Sequence, residues 1–199
     1  QGEGLPCRPL ARIPGVPAAL LSYALAFSVE YGTALWAPSY LVGLRGLSPE
    51  SAARTVSLFY LCIMVGRFLS GILSLRLSDR ALIRLGGALC MAGAVCLALP
   101  LPPAAYYAAL GAIGLGCAPI FPAMIHLTPA RFGPRDAQRV MGVQMAAAYA
   151  GDVCLAPLIG VTAQRAGEFS IPWSLLLLTA LLLVCTEITD LRAAGRRRA

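Results

Sequence analysis

The 199-residue sequence contains no lysine and no asparagine, a single histidine, and only 13% charged residues. A soluble domain carries about 25% charged residues, so this chain has too few polar groups to cover a surface that faces water. Hydrophobic residues make up 58% of the sequence, and the mean hydropathy is +0.74. These values exclude a soluble enzyme and indicate an integral membrane protein.

Because lysine is absent, all 16 basic residues are arginines, and the formal net charge is +7. The arginines stand in short clusters between long apolar runs, which is typical of the signals that orient membrane spans. A nucleic-acid-binding protein would instead present a patch of positive charge to the phosphate backbone. We therefore expect no nucleic-acid partner, and the lipid bilayer is the expected surroundings of the chain.

The seven cysteines form no Cys-x-x-Cys motif, and none stands at metal-ligand spacing from the histidine. Six of them lie inside apolar runs, where cysteine behaves as a small hydrophobic residue. The sequence therefore predicts neither a structural disulfide nor a metal site, and it suggests no cofactor.

Six apolar runs are long enough to cross a bilayer as helices, which takes about 20 residues each. They cover residues 16–43, 51–75, 81–99, 103–128, 138–164 and 171–189. Prolines such as Pro49, Pro102 and Pro129 stand at the breaks, because proline lacks the amide hydrogen that continues a helix. The sequence thus predicts an all-α membrane protein with six transmembrane helices.

The arginines that flank these runs fall mainly on one side of the membrane. Twelve lie on the side of both chain termini, three lie on the other side, and Arg67 lies inside a span. Because positively charged loops stay in the cytoplasm, both termini are expected to be cytoplasmic. The chain then divides into a cytoplasmic linker (1–15), a six-helix transmembrane bundle (16–189) and a basic cytoplasmic tail (190–199).

The linker shows no signal-peptide pattern. The first residue is not methionine. We therefore expect the native chain to continue upstream of Gln1.

An internal repeat emerges when the sequence is shifted by 85 residues against itself. The shift aligns identical residues at Pro49 and Pro134, Ala52 and Ala137, Arg54 and Arg139, and Gly66 and Gly151. It also places Arg67 opposite Asp152. Because an odd number of spans separates the copies, they have opposite orientations, as in the inverted repeats of many transporters. The sequence thus predicts two inverted three-helix repeats.

Two acidic residues lie deep inside predicted spans. Glu30 is at least 15 residues, and Asp152 is 13 residues, from the nearest arginine that flanks its span. At about 1.5 Å of rise per residue, both carboxyl groups are roughly 20 Å from those charges, near the midplane where secondary transporters bind substrates and coupling ions. We expect both to bind the substrate and to carry the coupling proton. The alternative is that either one is a structural partner of Arg67 or of a helix terminus.

Aromatic residues share a helix face with each of these carboxylates. Tyr23 and Phe27 precede Glu30 by seven and three residues, and Tyr149 precedes Asp152 by three. These spacings place the side chains on the same side of an α-helix. We expect the rings to contact the substrate, although such a stripe is also typical of helix packing.

Two further ionisable residues lie nearer the cytoplasmic side. Arg67 is nine residues before Arg76, so it lies in the cytoplasmic half of its span. It is either a gating ion-pair partner or a side chain that extends its guanidinium towards the membrane surface. His126, five residues before Arg131, is expected at the membrane interface.

Two classes of intramembrane protease are excluded by their motifs. A rhomboid-like protease needs Gly-x-Ser-Gly, but Phe68 stands where the glycine before Ser70 is required. A presenilin-like protease needs Gly-x-Gly-Asp with a second aspartate, but Tyr149 stands at the first glycine position before Asp152. The chain is therefore not expected to be an enzyme.

Motifs that carry a family resemblance are distributed over four of the six spans and one loop. They are Glu30-Tyr31-Gly32, Trp36 and Tyr40; Gly66-Arg67-Phe68 and Gly71; Arg76, Asp79 and Arg80; Gly114, Gly116, Phe121 and Pro122; and Gly142, Gly151, Pro157 and Gly160. In order and spacing, these residues resemble the C-terminal six-helix half of a Major Facilitator Superfamily transporter. The fucose-permease-like sugar/proton symporters are the nearest branch.

The resemblance implies secondary active transport of a small polar solute, with a sugar expected, by alternating access against an N-terminal six-helix half. Spans 16–43 and 103–128 would line the central cavity. The expected substrate-binding residues are Glu30, Asp152, Tyr23, Phe27, Trp36, Tyr149 and Phe121, with proton coupling at Glu30 and Asp152. The expected gating or structural residues are Arg67, Gly66, Gly71 and Pro122. A half-size transporter that works as a dimer and a membrane assembly module without transport remain alternatives.

Overall fold

The computed structural model describes Leu10 and residues 13–198, with side chains up to residue 195. Within these residues the chain forms six helices and no strand: α1 Val16–Gly43, α2 Pro49–Leu73, α3 Asp79–Ala98, α4 Pro103–Phe132, α5 Pro134–Ala166 and α6 Ser170–Arg198. Each is long and apolar enough to cross a membrane. The prediction of an all-α protein with six spans is confirmed. Most of the predicted linker (1–15) lies outside the described residues.

Helix boundaries follow the capping chemistry of the sequence. Ser48 and Ser78 cap α2 and α3, because each side chain accepts a hydrogen bond from the amide three residues later. The expected end of the fourth span at residue 128 is wrong. α4 continues through Pro129 to Phe132, and it ends where Gly133 adopts a φ of 84°. Glycine adopts this left-handed conformation without strain, so Gly133, rather than Pro129, separates α4 from α5.

The sixth helix also exceeds its apolar run. The run ends at residue 189, but α6 continues to Arg198 through most of the predicted tail (190–199). Alanine and arginine are good helix formers, so the backbone stays helical after the sequence has become polar.

The two halves of the chain pack in the same way. α1 packs mainly against α5 and α6, whereas α4 packs mainly against α2 and α3. The contacts of α1 with the second half of the chain thus match those of α4 with the first half. This correspondence of α1–α2–α3 with α4–α5–α6 is expected for two inverted three-helix repeats. The aligned glycines fit this exchange: a Cβ at Gly66 would meet Ala118 of α4, and a Cβ at Gly151 would meet the backbone of Ala24 in α1.

Burial is unequal among the helices. α4 is the most buried span, whereas α2 and α5 leave most of their surface uncovered. On α2 the exposed side chains are large and apolar, including Met64, Phe68 and Ile72. A face of this kind must be covered by lipid or by another membrane segment.

The bundle has two chemically distinct ends. One end of the bundle has few arginines and includes Arg45; we call it the Arg-poor end. There the Arg45 guanidinium donates hydrogen bonds to Leu97 O (3.0 Å) and Ala98 O (2.7 Å). The same group lies over the rings of Tyr40 and Tyr106. These contacts join α1, α3 and α4, because Arg45 satisfies the open carbonyls at the end of α3.

At the other end, which we call the Arg-rich end, ion pairs join α3, α4 and α6. Asp190 lies between two guanidinium groups, at 2.8 Å from Arg131 Nε and 3.1 Å from Arg80 Nε. Glu187 accepts two hydrogen bonds from Arg84, at 2.7 and 3.0 Å. These pairs hold the ends of three helices together.

Candidate functional site

The candidate site is centred on Glu30 of α1 and Arg67 of α2. Arg67 Nη2 lies 3.9 Å from Glu30 Oε1, and the side chains are 56% and 27% exposed. Among the described residues, the Arg67 side chain makes no hydrogen bond, so the pair is held by charge alone. The Arg67 side chain is therefore paired with Glu30, which fits both the gating ion pair and the structural pairing considered from the sequence. The guanidinium retains donors that a bound molecule can use.

A cleft of about 440 Å³ opens beside this pair. It is lined by Glu30, Tyr60, Ile63, Met64, Arg67 and Phe68. Tyr60 was not predicted from the sequence, although it precedes Arg67 by seven residues and so shares its helix face. The same tyrosine also borders a groove of about 600 Å³ between α1 and α2 that reaches Val42 and Pro49 near the Arg-poor end. The cleft and the groove therefore meet at Tyr60.

Asp152 lies on α5, which packs against α1. Tyr149, three residues before Asp152, packs its ring against Phe27, three residues before Glu30. The Asp152 Oδ1 atom is buried and has no hydrogen-bond partner. The two carboxylates thus differ, because Glu30 faces Arg67 and Asp152 does not. A buried carboxylate oxygen without a donor is costly, so Asp152 is suited to bind a proton or a donor group of a solute.

Three aromatic rings form an edge-to-face chain next to the carboxylates. The Phe27 ring centre lies 5.3 Å from that of Phe121 and 6.1 Å from that of Tyr149. A pocket of about 10 Å³, enough for about one water molecule, lies between Phe27, Phe121 and Glu30. Phe27, Phe121 and Tyr149 therefore come together beside Glu30.

None of the predicted substrate-binding aromatics lines the cleft of about 440 Å³, and Phe27 and Phe121 line only the small pocket beside Glu30. Two of them, Tyr23 and Trp36, lie away from both. Tyr23 is completely buried and packs its ring against Phe121, with centres 6.0 Å apart. Trp36 donates a hydrogen bond to Ala156 O at 2.9 Å, and its ring occupies the space above Gly160. Trp36 therefore joins α1 to α5, nearer the Arg-poor end than Glu30.

The remaining predicted residues lie at a helix contact, within α4 or on the surface of the bundle. Gly66 lets α2 approach α4, because a Cβ there would meet Ala118 and Leu115. Gly71 has no neighbour within 4 Å, so it permits no close contact in this structure. Pro122 lies within α4 beside Phe121, where the missing amide hydrogen leaves a carbonyl one turn earlier without its helical donor. His126 is exposed and lies 3.7 Å from Asp79.

A sequence model of the Major Facilitator Superfamily matches residues 19–189. No sequence among the curated proteins that were compared matches the chain. Solved structures with the same fold include a mutant of the peptide transporter POT in complex with alafosfalin, with a TM-score of 0.81 and 20% identity over 96% of this chain. They also include the fucose:proton symporter FucP of E. coli, with a TM-score of 0.71 and 19% identity over 92% of this chain.

The chain spans less than half of these transporters, 41% of the POT chain and 44% of the FucP chain. At such low identity the structures establish the fold alone. The family match covers most of the chain and includes every helix that lines the cleft. The chain belongs to the Major Facilitator Superfamily and is an integral, multi-pass membrane protein with the fold of one six-helix half.

Proposed function

We propose that the chain is the C-terminal half of a proton-coupled secondary transporter for a small polar solute. The observation that carries this proposal is the Glu30–Arg67 pair, which lies in a cleft bordered by Tyr60 and Phe68, with the unpartnered Asp152 on the neighbouring helix α5. Ionisable groups deep in a membrane protein are costly and are kept where a polar solute or an ion passes. An apolar cleft with a few converging polar groups is also the usual form of a small-molecule site.

Glu30 and Asp152 supply hydrogen-bond acceptors for the solute, while Phe27, Phe121 and Tyr149 contact its apolar face. A sugar suits this arrangement, because it has hydroxyl donors around a ring with apolar C–H faces. FucP, a fucose:proton symporter, has the same fold. A sugar is therefore the first class of solute to test.

A peptide-like zwitterion is the second candidate. Arg67 has guanidinium donors without hydrogen bonds, and Asp152 has a carboxylate oxygen without a donor, so the site offers groups of both charges. A solute with a carboxylate and an ammonium group would complement both. Peptide transporters of the POT family have the same fold.

Proton coupling would follow from the binding and release of a proton by the Glu30 carboxylate. When Glu30 takes up a proton, its attraction to Arg67 is lost, and the guanidinium is free to bind the solute. When the proton leaves, the pair forms again and competes with the solute. Arg67 and Glu30 lie on different helices, so this change also alters the contact between α1 and α2.

The N-terminal six-helix half is the partner proposed for the exposed faces of α2 and α5. Because twelve arginines flank one end and three flank the other, we place the Arg-rich end and both termini in the cytoplasm. The bacterial cytoplasmic membrane is the proposed location. Alternating access would then open the Glu30 cleft to one side of this membrane at a time.

The test is uptake of labelled L-fucose and dialanine by proteoliposomes that contain the complete transporter. With an inward proton gradient, we expect one probe to accumulate and a protonophore to abolish the accumulation. In Glu30→Gln, accumulation should be lost while solute exchange without a gradient continues, because the pair can no longer respond to protons. Glu50→Gln is the control. Glu50 also pairs with an arginine of α2, Arg54, but both of these side chains are exposed. Gradient-driven accumulation by Glu30→Gln at the wild-type level would contradict proton coupling at this residue.

A further inference from the structure

A buried polar layer lies between the cleft and the Arg-rich end. It consists of Tyr23 of α1, Thr128 and Arg131 of α4, and Gln144 of α5. Tyr23, Thr128 and Gln144 are 0% exposed, and Arg131 is 5% exposed. The Thr128 hydroxyl lies 3.1 Å from Gln144 Oε1. Arg131 follows Thr128 by three residues on α4, and the Tyr23 ring packs against Phe121, seven residues before Thr128 on the same helix. The four side chains therefore form one group.

Most donors in the polar layer have no acceptor. Tyr23 Oη, Gln144 Nε2, and both Nη1 and Nη2 of Arg131 are buried without a hydrogen-bond partner. Arg131 uses only its Nε, which donates to Asp190. The large majority of buried side-chain polar atoms normally have a hydrogen-bond partner. Arginine and the glutamine amide nitrogen can only donate, so the partner that these atoms lack is an acceptor.

Apolar residues close the layer on both sides. One helical turn towards the Arg-rich end, the same helix faces carry Ala19, Phe132 and Val140, all buried. One turn towards the cleft they carry Phe27, Met124 and Ala148, of which the last two are fully buried. Because the layer is enclosed, bulky ligands and side chains of another subunit are excluded, and a partner of these donors must consist of a few atoms.

The charge near the layer favours an anion. Arg131 and Arg80 share the single carboxylate of Asp190, while Arg84 and Glu187 neutralise each other. Among these five side chains, three arginines share two carboxylates, so one positive charge has no carboxylate of its own. Hydrogen bonds from an ionised donor to an anion are roughly twice as strong as neutral ones.

We propose that the polar layer binds one small anion of halide size, with chloride as the cellular ion. The donors of Tyr23, Arg131 and Gln144 converge on it from α1, α4 and α5. The anion thereby completes the hydrogen bonds that the protein leaves open, and it ties three helices together at the Arg-rich end. It does not take part in binding the transported solute.

The test is thermal unfolding of the purified complete transporter in sodium chloride and in sodium gluconate at equal ionic strength. We expect the Tm to rise with chloride in a saturable way, because a ligand that binds only the folded state stabilises it. Tyr23→Phe removes one donor but keeps the ring, and it should raise the half-saturating chloride concentration about tenfold. Gln144→Leu should act likewise, while Gln138→Leu, an exposed glutamine on the same helix, should respond as the wild type does.

A crystal soaked in bromide gives an independent readout, because an anomalous peak is expected between Tyr23, Arg131 and Gln144. The proposal is wrong if ordered water alone occupies the layer, or if the Tm is equal in chloride and gluconate. It is also wrong if Tyr23→Phe keeps the wild-type chloride dependence. If Gln144→Leu fails to fold, the bromide map and Tyr23→Phe still decide the matter.

Discussion

Glu30 and Asp152 are both carboxylates near the middle of a span, but their surroundings differ. Glu30 faces the guanidinium of Arg67 at 3.9 Å, whereas Asp152 has a buried oxygen without any donor. The sequence treats them alike, because its spacing reveals depth but not the partner across the helix interface. Tyr60 was not predicted for a similar reason. Whether it lines the cleft depends on which face of α2 is turned towards α1, and the sequence alone does not reveal this. At this scale, sequence identifies candidate residues and packing assigns their roles.

Replacing Asp152 by asparagine separates a binding role from a structural one. We expect Asp152→Asn to raise the KM for uptake about 10- to 100-fold, the range of one hydrogen bond to a charged group. The Tm should stay constant or rise, because the substitution removes a buried charge without breaking a contact. Asp190→Asn is the contrasting variant, and it should lower the Tm because Asp190 pairs with both Arg131 and Arg80. A fall in Tm for Asp152→Asn with unchanged uptake would show that Asp152 is structural.

The helices themselves were largely predictable from apolar runs and breaking residues. The exceptions have physical causes: Pro129 is tolerated inside α4 because Gly133 ends the helix one turn later, and α6 outlasts its apolar run. The ion pairs at the Arg-rich end were not predictable, since Asp190 and Arg131 are 59 positions apart in the chain. Trp36 was expected at the substrate from the family resemblance, but in the structure its side chain bonds to Ala156 O of α5. Helix contacts therefore decide which side chains reach the cleft.

The closeness of α1 and α5 depends on Gly151. A Cβ at this position would fall on the backbone of Ala24, so Gly151→Ala should force the helices apart and lower the Tm. Gly142→Ala is the matched control, because nothing lies within 4 Å of Gly142 on the same helix. The control should keep the wild-type Tm or gain up to about 1 kcal/mol from better helix propensity. Differential scanning fluorimetry measures both, and equal Tm values for the two variants would contradict the close α1–α5 contact.

On the scale of the whole molecule, the six helices form one half of the superfamily fold. The two three-helix repeats pack in the same way, the faces of α2 and α5 are exposed, and the Glu30 cleft is open. These features fit the proposal that the bundle packs against a second one. The family and the fold were recognisable from the order of short motifs, because each motif serves helix packing or the cavity in this architecture. The solute was not recognisable, because solved structures with the same fold include both a peptide transporter and a fucose:proton symporter.

The central claim is that this chain completes its transport site with a second six-helix unit, and split expression tests it most directly. The two halves of the complete transporter are produced separately and together, and gradient-driven uptake of L-fucose and dialanine is measured for each. We predict no uptake by residues 1–199 alone, and recovery when both halves are present and co-purify. Uptake by residues 1–199 alone, with a two-fold dimer in solution, would contradict the account and establish a half-size transporter.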